Sequence, residues 1–243
     1  MDNATRLQYL QAMGIDAWVP RAIAQLEVPA ITATSLSPVE MPELVDLPQP
    51  PLISPVSQDD WALLENDVAG CRLCGLCETR TQTVFGSGNR QPEWLLIGEA
   101  PGQSEDQQGL PFVGTAGQLL TEMLRACGLS RDEVFITNIL KCRPPNNRDP
   151  KPEEQAQCHQ HLQRQLALLQ PKIILAVGRI AAQALLNTDE PLAKLRGKVH
   201  QLGSTPLIVI YHPAYLLRSL TEKRKAWMDL QFALQTYNNN NKG

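Results

Sequence analysis

From residue 94 onward, short apolar runs alternate with segments of helical patterning, and this alternation leaves few folds open. Trp94-Leu-Leu-Ile-Gly98 runs into a Pro/Gly turn. Thr115 to Cys127 then carries Leu119, Leu120, Met123 and Leu124 at helical spacing before Gly128 stops it. The unit repeats in Val134 to Leu140 with Pro152 to Leu169, Lys172 to Val177 with Ile180 to Leu186, and Leu207 to Tyr211 with Glu222 to Tyr237. Such alternation predicts an α/β fold, a parallel sheet covered by helices on both faces. Ligands bind such sheets beyond the carboxyl ends of the strands. Glu99 directly follows the first strand, Asn138 lies near the end of the second, and His212 follows the fourth.

Charge divides the chain more sharply than length does. Residues 1–67 hold ten Asp and Glu against two Arg, while residues 68–243 hold fifteen acidic against twenty basic residues, so a basic domain follows an acidic leader. A basic domain suits a polyanionic partner, and the late cluster Lys194, Arg196, Lys198, Arg218, Lys223, Arg224 and Lys225 carries the surplus. Seven prolines between 29 and 55, with no helical or strand period around them, predict a disordered linker over 28–58. Residues 1–27 then form a short amphipathic peptide and 59–243 the globular domain. The opening MDNATRLQYL has no basic stretch leading into an apolar one, and eighteen uninterrupted apolar residues occur nowhere. A cytoplasmic location with reduced thiols is expected, in which clustered cysteines are metal ligands or catalytic groups more often than disulfides.

Four cysteines fit that expectation. Cys71 and Cys74 form a C-x2-C pair and Cys142 and Cys158 a C-x15-C pair, on either side of Gly98-Glu-Ala-Pro-Gly102. Four thiolates suit zinc or an iron–sulfur cluster. Zinc ribbons close with a second C-x2-C; the wide second bite here suits a cluster better, and spacing leaves both open. Cys77 and Cys127 are left over, and Cys77 competes with Cys71, because Cys74 and Cys77 also form a C-x2-C pair.

The segments GEAPGQSEDQQGLPFVGTAGQLL, TNILKCRPPNNRDPKPEE and HPAYLLR, with the four cysteines at these intervals, resemble the family 4 uracil-DNA glycosylases over about residues 68–237. The resemblance implies a three-layer α/β/α sandwich on a four-stranded parallel sheet. It also implies a [4Fe-4S] cluster held by Cys71, Cys74, Cys142 and Cys158, and excision of uracil from DNA; flipping one base needs no symmetry, so a monomer is the expectation, with the oligomeric state open from sequence. The related family 5 enzymes typically lack the carboxylate at the position of Glu99. A rival of another class is a DNA-binding module that keeps fold and cluster without catalysis; against it, the polar pocket positions are all present.

The residues suit that reaction. A uracil inside a duplex must be flipped into a pocket, for which Phe112 would supply an apolar platform. The Asn138 amide would donate to the 4-oxo group and accept from the ring imino N–H, the reverse of what cytosine needs. A wrong base leaves both groups unpaired, at about 1–3 kcal/mol each. His212 would donate to the 2-oxo group as the base departs as an anion. The cationic sugar left behind favours a carboxylate and a positioned water, with Glu99 and Glu105 as candidates and no assignment between them from sequence. Main-chain N–H groups of Ala100 and Gly102 add pocket contacts. Leu216, Leu217 and Arg218 would fill the gap left by the flipped base and grip a phosphate, core packing being the alternative for the two leucines.

The leader carries a second resemblance. Leu10 to Trp18 is similar to the N-terminal peptide of the psi subunit of the bacterial clamp loader, with Met13 where that pattern has Leu. It implies a replication partner for residues 1–28, bound through a tether that raises the enzyme's local concentration near new DNA.

Overall fold

The computed structural model describes residues 58–241. The chain divides into two units, Met1–Pro51 and Leu52–Gly243, and every described residue belongs to the second. The expected peptide over 1–27 and nearly all of the expected linker lie outside the described residues.

Six strands form one mixed sheet in the order β1-β3-β2-β4-β6-β5. They are β1 (Ser87–Gly88), β2 (Trp94–Gly98), β3 (Phe135–Asn138), β4 (Ile173–Val177), β5 (Val199–Leu202) and β6 (Thr205–Ile210). β3, β2, β4 and β6 pair parallel, whereas β1 joins β3 and β5 joins β6 antiparallel. The four-stranded, purely parallel sheet expected from sequence therefore gains an antiparallel strand at each edge. One is two residues long; the other is a half-exposed arm returning through Gly203, whose φ of 60° suits a tight hairpin turn.

Alternation along the central strands sends side chains to two separate cores. Trp94, Leu96, Ile136, Leu175 and Ile208 pack with α3 (Thr115–Ala126), α7 (Pro213–Arg218) and α8 (Lys223–Asn240) on one face. Leu95, Ile97, Phe135, Ile174 and Val209 pack with α1 (Gln58–Ala69), α4 (Pro152–Leu169) and α5 (Arg179–Leu186) on the other. Because both faces are covered, the strands read as unbroken apolar runs. Two short helices complete the chain, α2 (Gln103–Gln108) after β2 and α6 (Leu192–Leu195) before β5.

Strand order reverses around β2. The chain passes from β2 to β3 on one side and then crosses to β4 on the other, which opens a crevice at the carboxyl edge. Gly98, Asn138, Val177 and Ile210 all end their strands there. No described helix is long and apolar enough to cross a membrane.

Candidate active site

A cleft of about 780 Å³ occupies that edge, and Glu99, Ala100, Gly102, Glu105, Phe112, Asn138, His212 and Arg218 all line it. Asn138 forms its floor. It is 1% exposed, and its Oδ1 has no hydrogen-bond partner among the described residues. An unpaired buried carbonyl costs about 1–3 kcal/mol, which a bound N–H donor would recover.

Phe112 stands beside it, with its ring centroid 5.8 Å from that of His212. Its φ of 54° is left-handed, and the strained turn is held from two sides. Arg131 donates to the carbonyls of Pro111 at 2.8 Å and Phe112 at 3.2 Å. Glu105 Oε1 accepts from the main-chain N–H groups of Val113 at 2.9 Å and Gly114 at 3.0 Å. Gly98 makes room for both pocket side chains: a Cβ there would overlap Asn138 Oδ1 and lie 2.6 Å from Phe112 Cζ.

His212 caps α7, and its Nδ1 accepts from the Ala214 N–H at 3.1 Å. That bond leaves Nε2 to carry the proton of a neutral ring. Burial, reinforced by Arg218 and opposed by Glu105, holds the imidazole down at about 4, so it is neutral at physiological pH. Gly178 gives way to it, since a Cβ there would sit 2.9 Å from that of His212.

Glu99 behaves in the opposite sense. Burial first, then the charge of Asp149, raise its carboxyl to about 7 against the pull of Arg179. Arg179 and Asp149 line the same cleft and are paired at 3.1 Å. Sequence reading missed both, because one lies in a loop and the other begins a helix.

The three positions expected to meet DNA separate. Arg218 lines the cleft and Leu217 is 42% exposed, but Leu216 is 1% exposed and packed in the core with Leu120 and Leu230. A wedge role for Leu216 is thus corrected, since the first turn of α7 points it under the sheet. Arg196, counted with the basic surplus, is also turned inward onto Asp229 at 2.6 and 2.8 Å.

Cys71, Cys74, Cys77, Cys142 and Cys158 line a second cavity with Arg80, Lys141 and His161. Donors converge on its sulfurs: Arg80 Nη1 reaches Cys142 Sγ at 3.0 Å, the Lys141 N–H reaches Cys158 Sγ at 3.3 Å, and His161 Nε2 lies 3.3 Å from Cys71 Sγ. Among the described residues no three His, Cys, Asp or Glu side chains gather tightly enough to hold a metal ion. Lys141 joins the two cavities. It is 1% exposed, and its Nζ donates to Thr137 Oγ1 at 2.6 Å, Asn138 O at 2.7 Å and Gln165 Oε1 at 2.6 Å.

Residues 85–231 match the family model of the uracil DNA glycosylase superfamily, and the chain belongs to that superfamily. Its relatives narrow the group. Over 159 residues it is 47% identical to a type-4 uracil-DNA glycosylase of Archaeoglobus fulgidus, covering 62% of this chain and 80% of that one. Over 159 residues it is 43% identical to the type-4 enzyme of Thermotoga maritima, covering 65% and 83%. A type-5 enzyme of Thermus thermophilus matches less of both chains, at 36% over 118 residues, 42% and 53%. Within the superfamily the chain therefore falls with the type-4 enzymes.

Proposed function

We propose that the chain excises uracil from DNA as a type-4 uracil-DNA glycosylase, with the cleft as its active site. The observation that carries the pocket assignment is the buried, unpartnered Oδ1 of Asn138. A flipped uracil presents its imino N–H to that atom and its 4-oxo group to the amide N–H, and it lies along Phe112. Cytosine has no imino N–H to offer there, so the amide rejects it.

As the C1′–N1 bond breaks, its electron pair moves into the base, and negative charge grows on the 2-oxo group. His212 Nε2–H donates there. A neutral donor suits this role, since a ring locked by Ala214 needs no reorganisation at the moment of charge transfer. Water attacks C1′ of the oxocarbenium-like sugar and loses a proton, which leaves an abasic site and a uracil anion that takes a proton from solvent on release. Glu99 orients that water and takes the proton. Glu105 instead holds the Phe112 loop, because its Oε1 is occupied by two main-chain N–H groups. Leu217 and Arg218 face the DNA strand.

Cys71, Cys74, Cys142 and Cys158 would hold a [4Fe-4S] cluster, which when bound supplies a cross-link between the segment before β1 and the loop after β3. The shared cavity and the N–H donors aimed at sulfur support that reading. Residues 1–28 would bind a clamp-loader subunit, on the strength of their sequence pattern alone; pull-down lost on Trp18→Ala and retained by no scrambled peptide tests this.

The deciding experiment is uracil release from a uracil-containing oligonucleotide. Wild type releases uracil, and Asn138→Ala and His212→Ala reduce kcat/KM by roughly 100- to 1,000-fold. No release by cluster-loaded wild type would overturn the assignment.

A further inference from the structure

One aromatic side chain in the cleft is used neither by the pocket nor by the core. Tyr215 is 38% exposed and lines the cleft between His212 and Arg218. These three residues follow one another at intervals of three along α7 and share one face of it. The Tyr215 ring is also braced. It stacks on Tyr211 with centroids 5.3 Å apart and planes 21° from parallel. The guanidinium of Arg196 packs on the same Tyr211 ring at 3.9 Å and is fixed in turn by both oxygens of Asp229.

Taking the cleft as the uracil site proposed above, we infer that Tyr215 is a stacking platform for the nucleobase next to the flipped uridine. Aromatic rings accept any base by its face, and a ring already held in place gives up little freedom on stacking. Its position, one helical turn beyond His212, matches a neighbour of the nucleotide whose base His212 contacts. Arg218, one turn further on, meets the phosphate that follows. The subsite reads no sequence; it adds affinity for single-stranded or locally opened DNA. With Leu216 buried, it joins Leu217 as an apolar group that meets the strand.

A thermodynamic cycle tests this with the full chain and single-stranded oligonucleotides carrying a tetrahydrofuran abasic analogue, so that Kd is read without turnover. The base on the 5′ or the 3′ side of the analogue is present or deleted. Wild type should lose roughly 5- to 150-fold in Kd when the base on one of those sides is deleted. Tyr215→Ala should lose a similar factor with the intact oligonucleotide and then be insensitive to that deletion, and Tyr215→Phe should restore the sensitivity. Independent, multiplicative losses from the two changes would overturn the proposal, as would a Tyr215→Ala variant that binds like wild type. Uracil release by wild type is scored separately, so a failure of the glycosylase reading is distinguishable from a failure of the Tyr215 subsite.

Discussion

Gly98→Ala offers the sharpest test of how the pocket is built. The glycine sits opposite Asn138 in the parallel register of β2 and β3. Its added Cβ would overlap Asn138 Oδ1 and stand 2.6 and 2.8 Å from two ring carbons of Phe112. Neither neighbour retreats easily: Asn138 is 1% exposed on a central strand, and the Phe112 turn is fixed by Arg131 and Glu105. Overpacking of this kind costs about 1–3 kcal/mol. In a domain of this size each kcal/mol lowers Tm by roughly 2–4 °C, so the melt should fall by about 2–12 °C with the fold intact. The two side chains must shift by a few tenths of an ångström to one ångström, and a 1 Å misplacement costs about 100-fold in rate. Steady-state uracil release should thus show kcat/KM down about 100-fold at a temperature where circular dichroism reports folded protein. Discrimination of uracil from cytosine should narrow as well, because the reading amide is one of the displaced groups. Activity within threefold of wild type would refute the packing argument, whatever the melt.

Glu99→Gln should abolish a rise in kcat with pH that wild type shows through about 7, where the carboxyl ionises, and should lower the plateau by roughly 100- to 10,000-fold. The sign for stability is opposite. The fold raises this pKa, so between about 4.5 and 7 the native state keeps a proton that the unfolded chain has released, and wild type loses stability as pH rises. The melting temperature of Glu99→Gln relative to wild type should climb over that interval and level off above it; a constant difference across pH refutes the assignment. For the cysteine cavity, wild type should contain roughly four irons per chain with matching sulfide. Cys142→Ser or chelation should remove visible absorbance and lower Tm together, whereas a variant with full iron content would remove Cys142 from the ligand set.

The central strands and the principal helices were legible because both faces of the sheet are buried, which leaves unbroken apolar runs such as Trp94–Gly98 punctuated by glycine and proline. The edge strands were not. β1 is two residues long, and β5 alternates between exposed and half-exposed positions. β5 did carry a signal, the Gly203-Ser204 pair between two extended runs, which is a hairpin pattern. Pocket residues at strand ends were found from position, since Glu99, Asn138 and His212 follow from the topology. Residues that act through long-range contacts left no local trace: Arg131 reaches back 20 residues to Pro111, and Arg179 reaches Asp149 across 30. Leu216 and Leu217 look equivalent in sequence, and only the orientation of a six-residue helix separates them.

Lys141 has a consequence for how the cysteine loop and the cleft depend on each other. Its main-chain N–H is committed to Cys158 on α4, and its ammonium to the carbonyl of Asn138. The strand end that carries Asn138 is therefore braced from α4 and from the residue next to Cys142. A disturbance of the cysteine loop is thus passed through one buried side chain to the strand end at the floor of the cleft.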